Sequence, residues 1–373
     1  MRVPFLDIPA QYRDLASELD SVVLDVLRSG AYVVGKHNKA LEEELARRHG
    51  VRHGIAVNSG TDALRIMIQA CGIGPGDEVI TTAFTFVASA ETIVQVGAVP
   101  VFVDIDPQTF NIDVAQIEAA ITPRTRAIMP IHLFGQLADV RALTALAQKR
   151  ELIVLEDAAQ ALGCRHDGVY AGNFGRAAGL SFYVTKNLGA AGDGGLILTN
   201  DDDVAERSRS LRIHGMGRER YYYDAVGYTS RLDEIQAAIL NVKLTRLDVW
   251  NRRRAEIAAI YLRDLADSGV TLPVQSPGNN HTWHQFTIRS RNRDELQAFL
   301  KEREIDSMIY YPVPLHFHTP YRGYGEGEGS LPETESAARE VLSLPIHPHL
   351  DDEQAAWVAK CVAEFTAQVP SGR

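Results

Sequence analysis

The stretch SFYVTKNLGAAGDGG, Ser181 to Gly195, joins two apolar runs, Leu180 to Val184 and Gly194 to Thr199, through a connection that carries one lysine, Lys186. The connecting residues, Thr185 to Asp193, are too few to hold a helix and return a parallel strand, so the two runs are predicted to pair antiparallel. A free lysine amine, with a pKa of about 10.4, is almost wholly protonated at neutral pH. It can form a Schiff base once it is desolvated or placed near other positive charge. A short strand ending in a tight turn would hold such an amine against a buried ligand. A lysine in a turn, read by itself, is more often a solvated one.

Outward from this segment, short apolar runs alternate with helix-length amphipathic segments, the rhythm of an α/β layer fold. The other strand candidates are Gly54 to Asn58, Glu78 to Thr82, Val99 to Asp104, Ala127 to Leu133 and Leu152 to Asp157. Segments such as Thr61 to Gly72, Phe86 to Val96 and Asp139 to Arg150 are long enough for crossover helices, so these strands should be parallel. The expected fold is α/β: a large domain, residues 1–250, with a mostly parallel seven-stranded sheet containing one antiparallel strand and flanked by helices. A smaller C-terminal α+β domain, residues 251–373, should follow. From Ser230 to Leu265 the apolar spacing predicts one long helix or two in series, with Arg252, Arg253 and Arg254 on its solvated face. Thr282 to Arg289 reads as a strand, Arg293 to Arg303 and Asp351 to Phe365 as helices, and Gly323 to Ser330 as a mobile surface loop.

Composition narrows the function. A chain of 373 residues with net charge −10 lacks the general basic field of a nucleic-acid binder, so an anionic substrate must be held by local groups. Three widely spaced cysteines without a C-x-x-C pair suit a reducing cytoplasm and no disulfide framework. No apolar run approaches the roughly 20 residues of a membrane span, and the N-terminus becomes charged too early for a signal peptide. The chain reads as cytoplasmic.

Candidate chemistry gathers at the C-terminal ends of the strands, where open α/β sheets bind ligands. NSGTDAL, Asn58 to Leu64, follows the first strand and opens a helix, so Ser59, Gly60 and Thr61 form a possible phosphate cradle with the helix dipole behind it. Plain N-capping by Ser59 or Thr61 explains the same residues equally well. LIVLEDAAQALG ends a buried strand with Glu156 and Asp157 and sets Gln160 one helical turn on. A carboxylate there is costly unless neutralised, for example by a buried cation. Phe84 and Phe86 could stack on a flat ligand or serve the core. The histidine pairs at His281 and His284, His316 and His318, and His347 and His349 lack a clear third ligand, and no metal is expected.

In this order and spacing, VPFLDIPAQY, VNSGTDAL, GPGDEVIT, TFVAS, PVFVDIDP, HLFGQ, EDAAQALG, SFYVTKNLGAAGDGG, GYTSRLDEIQAAIL, YYPVPLH and LSLPIHP resemble the pyridoxal-phosphate-dependent nucleotide-sugar aminotransferases of the DegT/DnrJ type, within the aspartate-aminotransferase fold. The resemblance implies pyridoxal 5'-phosphate as cofactor, bonded to Lys186, which then moves the proton during amino transfer. It implies that Asp157 keeps the ring nitrogen protonated, Gln160 bonds the ring hydroxyl oxygen, Phe86 stacks on the ring, and Ser59, Gly60, Thr61 and Ser181 hold the phosphate. It further implies a homodimer with shared sites, in which Thr229 and Arg231 reach the partner's cofactor phosphate. Tyr311, His316 and Arg231 would contact the sugar. The donor would be L-glutamate and the acceptor a keto-sugar on a nucleotide diphosphate, with ping-pong kinetics and a lean toward a 3-keto over a 4-keto sugar.

Thr229 stands where the family usually has asparagine, and Tyr310 where histidine is often found. A dehydratase variant of the family carries histidine in place of the lysine, which Lys186 speaks against. A non-catalytic regulatory protein on the same fold is the remaining alternative, and the set Lys186, Asp157 and Gln160 weighs against it. A nicotinamide site would need G-x-G-x-x-G opening a helix, whereas Gly192 to Gly195 leads into a strand.

Overall fold

Short runs rich in valine, isoleucine, leucine and alanine, almost wholly buried, form the centre of the molecule, as strands covered by helices on both faces require. In the computed structural model, which describes residues 1–368, helices α1 (Ile8–Ser29) and α2 (Lys36–His49) precede β1 (His53–Val57). There follow α3 (Gly60–Ala70), β2 (Glu78–Thr82), α4 (Ala88–Gln95), β3 (Val99–Val103), α5 (Val114–Ala120), β4 (Thr125–Ile128), α6 (Val140–Arg150) and β5 (Ile153–Asp157). Two-residue strands β6 (Arg165–His166) and β7 (Val169–Tyr170) form a small ribbon before β8 (Ala177–Ser181) and β9 (Gly195–Thr199). The main sheet has the order β1-β9-β8-β5-β4-β2-β3. In it β9 runs antiparallel to both neighbours, and the remaining pairs are parallel. The expected antiparallel return is therefore present, and Lys186 lies in the β8–β9 connection.

Two strands end several residues earlier than their sequences suggest, and β1 and β3 end one residue earlier. β8 stops at Ser181 rather than Val184, because the chain closes on itself there: Ala190 N–H donates to the Phe182 carbonyl and Lys186 N–H to that of Tyr183, both at 2.8 Å. β4 stops at Ile128 rather than Leu133, since Pro130 has no N–H to continue a ladder and Leu133–Gly135 winds into a 3-10 turn.

After α7 (Asp202–Leu211) come two helices in series, α8 (Glu234–Leu244) and α9 (Leu247–Asp264), broken at Thr245 and Arg246. The basic run inside α9 is only partly a solvated face. Arg252 is exposed, but Arg254 is buried and donates to the carbonyls of Trp283, His284 and Ile346. The rest of the chain is built of β10 (Asn279–Asn280), β11 (Phe286–Arg289), α10 (Arg293–Glu302), α11 (Pro332–Glu340), β12 (Val341–Leu344) and α12 (Asp352–Gln368), with β11 and β12 paired antiparallel. Residues 325–330 of the glycine-rich stretch form a largely exposed loop.

Alternation along β1 sends Ala56 to one side of the sheet and Ile55 and Val57 to the other. On the first side they meet Leu41, Leu180, Leu198 and Leu240 around Cys164; on the second, Leu64, Met67, Leu155 and Ile197 around Cys71. A third cluster joins Val3 to Ile257, Tyr261, Phe286, Leu296, Val358 and Phe365 around Cys361. Each such fully buried Leu, Ile or Phe contributes about 1.5–3 kcal/mol. Among the described residues no helix is long and apolar enough to cross a membrane.

Candidate active site

Lys186 sits on a loop that is fastened on three sides. Asn187, next in the chain, donates from Nδ2 to Asn251 Oδ1 at 2.8 Å and to the Thr282 carbonyl at 2.9 Å. Both amide protons are then committed, so Asn187 Oδ1 accepts from His284 Nδ1 at 3.1 Å, which sets the tautomer of that ring. Burial, with Lys186 and Arg254 nearby, holds His284 neutral. Lys243 Nζ donates to the Gly189 carbonyl at 2.8 Å, and Gln236 brackets Ala191. The Lys186 side chain is half-buried, and desolvation brings its amine down to about 8 while the Asp157 carboxylate pulls the other way.

Asp157 ends β5, 4% exposed. Its Oδ2 accepts from Ser89 Oγ at 2.8 Å and its Oδ1 from Ala159 N–H at 3.2 Å. Burial raises its pKa, and the Ser89 and Ala159 hydrogen bonds, then Lys186 and His132, oppose that rise. The adjacent Glu156 points away from it. Its carboxylate accepts from Gly172, Phe174 and Gly175 N–H groups and pairs with His132 Nε2 at 3.0 Å, so its negative charge is satisfied within the protein. His132 Nδ1 accepts from Ala138 N–H, which leaves the Nε2 proton for Glu156.

Gln160 accepts from Phe134 N–H at 2.8 Å and donates one amide proton to Tyr311 Oη at 3.1 Å. Burial pushes the Tyr311 phenol up. Of the two phenylalanines, Phe84 belongs to the core with Phe110 and Phe134, whereas Phe86 is 56% exposed, its ring 6.5 Å from that of Tyr311.

Ser59 is the N-cap of α3, its hydroxyl accepting from Asp62 N–H at 3.1 Å, so the capping role is real. The cap leaves the Gly60 and Thr61 N–H groups without a partner among the described residues, at the positive end of the helix dipole. Ser181 closes the cradle. A Cβ on Gly60 would lie 2.6 Å from Ser181 Cβ, and one on Gly195 would lie 2.2 Å from the Ser59 carbonyl, so glycine at both positions lets β8, β9 and the α3 N-terminus touch.

The remaining candidates lie further out. Thr229 is exposed, with Oγ1 3.1 Å from His214 Nε2; Arg231 is half-buried; Ser230 between them is buried and accepts from Asn58 N–H at 3.2 Å. In hydrogen-bonding terms His316 packs elsewhere, toward Glu335. It is buried with Nε2 3.3 Å from Glu335 Oε1. The structure adds Ser89, Thr85, His132 and Asn187, none singled out from sequence although TFVAS, HLFGQ and the neighbour of Lys186 contain them, and it adds His284, which the sequence offers only as half of a histidine pair.

The donor set fits a phosphorylated pyridine aldehyde. A primary amine near neutrality can bond its carbonyl, a buried carboxylate with acceptor capacity left over suits a protonated ring nitrogen, and two free N–H groups at a helix start suit its phosphate.

Comparison with known proteins agrees. The model of the DegT/DnrJ/EryC1/StrS aminotransferase family matches residues 13–363. A Geobacillus stearothermophilus protein named pleiotropic regulatory protein is 51% identical, over 98% of this chain and 99% of that one. The dTDP-3-amino-3,4,6-trideoxy-alpha-D-glucose transaminase of Streptomyces venezuelae is 46% identical, over 99% of this chain and 97% of that one. The crystal structure of NtdA from Bacillus subtilis, solved with bound cofactor PMP, superposes with a TM-score of 0.92 at 32% identity, covering 98% of this chain and 86% of that one. Matched from Arg13 to Ala363, the chain belongs to the DegT/DnrJ/EryC1/StrS aminotransferase family and is a transaminase whose cofactor is pyridoxal phosphate.

Proposed function

We propose that the enzyme takes the amino group of L-glutamate and gives it to a keto-sugar carried on a nucleotide diphosphate, with the ketone at C3. The observation that carries aminotransfer is the half-buried Lys186 amine, lowered to about 8, in the field of the buried Asp157 carboxylate. Support for the sugar and for C3 comes from the transaminase relative named for a dTDP-linked 3-amino sugar.

When bound, the cofactor supplies an electron sink for the carbon that loses or gains the amine. Lys186 Nζ, with its pKa close to working pH, accepts and returns the proton at that carbon. Asp157 presents an anionic oxygen to the ring nitrogen. Gln160, with one amide proton on Tyr311, has the other for the ring oxygen. Phe86 offers its exposed face to the ring, and Ser59, Gly60, Thr61 and Ser181 hold the phosphate. Tyr311, bonded to Gln160 and near Phe86, contacts the sugar in this reading; His316, closed onto Glu335, is left out of this set. Thr229 and Arg231 act across a homodimer interface, in the cytoplasm.

The regulatory name borne by the 51% identical relative makes a non-catalytic role the second reading. One experiment separates them. The purified protein should absorb near the visible edge, lose that band on adding L-glutamate, and regain it with a 3-keto nucleotide sugar, releasing amino-sugar. A panel of uridine- and thymidine-linked 3-keto and 4-keto sugars, all unconverted, would refute the enzymatic reading, and turnover of only the 4-keto members would refute the C3 assignment.

A further inference from the structure

Asp157 is held by a hydroxyl chain that starts on another element. Ser89, in the first turn of α4 and 1% exposed, has its Oγ 2.8 Å from Asp157 Oδ2 and 3.1 Å from Thr85 Oγ1, itself 3% exposed. An ionised carboxylate only accepts, so the Ser89 proton points to Asp157, and the Ser89 oxygen accepts from Thr85. The direction of both bonds is thus fixed by one charge. A proton on Asp157 Oδ2 would reverse the chain, and a carboxylate bonded to a buried hydroxyl is favoured in its charged form.

We propose that Ser89, oriented by Thr85, is a positioning residue for the cofactor: its hydroxyl aims the Asp157 carboxylate and keeps it the anionic partner of the pyridine ring nitrogen. The inference rests on the assignment of Asp157 to that nitrogen. The charged and titratable groups around Asp157 are Lys186, His132 and Tyr311, and each stands on a different segment from Ser89. They supply field, whereas Ser89 supplies direction. One Asp157 oxygen is tied to Ser89 and the other to the Ala159 N–H, so the plane of the carboxylate cannot swing away from the site.

A deaza analogue of pyridoxal phosphate, with carbon in place of the ring nitrogen, separates this role from a purely structural one. Dissociation constants of pyridoxal phosphate and of the analogue are measured by dialysis and absorbance for wild type and for Ser89→Ala, Ser89→Thr, Thr85→Val and Asp157→Asn. Ser89→Ala should weaken pyridoxal phosphate about tenfold, the size of one hydrogen bond to a charged group, and leave the analogue nearly unchanged. Ser89→Thr should restore the difference, and Thr85→Val should show a smaller loss of the same kind. Equal weakening of both ligands in Ser89→Ala and Thr85→Val, or of neither, overturns the role of Ser89. If Asp157→Asn also weakens both ligands equally, or neither, the assignment of Asp157 itself falls.

Discussion

At the scale of single residues, the Lys186 amine makes a quantitative statement about pH. Only its neutral form attacks a carbonyl, and burial has moved the protonation midpoint to about 8. The rate at which the cofactor-free protein captures pyridoxal phosphate should therefore rise with pH around a midpoint near 8, rather than near the 10.5 of an ordinary lysine. Asp157 raises the amine pKa, so Asp157→Asn should shift that midpoint lower. Absorbance stopped-flow across pH measures both. Borohydride reduction followed by peptide mapping should place the adduct on Lys186. The lysine, the acid and the cradle were legible because each occupies a short motif at a strand end. Ser89 was not, although TFVAS spells it out, because its partner Asp157 is 68 residues away in the chain. Arg254 was misjudged for the same reason. Arg252 and Arg254 look alike in a basic run, and only the carbonyls of Trp283, His284 and Ile346 tell them apart. Arg254→Ala, which orphans those carbonyls, should cost about 2–4 kcal/mol in chemical denaturation, and Arg252→Ala less than about 0.5 kcal/mol.

At the scale of elements, the cradle depends on three backbone pieces approaching without side chains between them. Gly60→Ala would drive its methyl to 2.6 Å from Ser181 Cβ, a distance that must be relieved by separating α3 from β8. Cofactor phosphate affinity should fall at least about tenfold, measured as the dissociation constant for pyridoxal phosphate, because the two free N–H groups lose their aim. Periodicity and connection length were enough to read a mostly parallel sheet and the antiparallel return of β9. They did not place strand ends. β4 yields at Pro130, which has no N–H for a ladder, and β8 yields to the loop that fastens Lys186, where Ala190 and Lys186 N–H groups bond the carbonyls of Phe182 and Tyr183. The capping and the cradle readings of Ser59 were equally open from sequence, and the structure shows the capping bond while leaving the next two amides free.

At the scale of the whole molecule, the proposed dimer has a direct arithmetic test. If Arg231 serves its partner's site, a mixed dimer of Lys186→Ala and Arg231→Ala subunits has one site with both defects and one with neither. Random reassociation of the two inactive variants should then recover about a quarter of wild-type turnover. No recovery would place Arg231 within its own subunit's site, and an Arg231→Ala protein that is active by itself would place it outside any site.

Three of the hydrophobic clusters report on how the molecule breathes. Each encloses one cysteine, Cys164, Cys71 and Cys361, all buried and free. Burial pushes the thiols of Cys71 and Cys164 up to about 12 and that of Cys361 up as well, so none reacts with an alkylating agent from the closed state. The protein thus contains three native clocks, one per cluster. Their separate labelling rates, with and without cofactor, record which part of the structure opens first and how much of that opening the ligand suppresses.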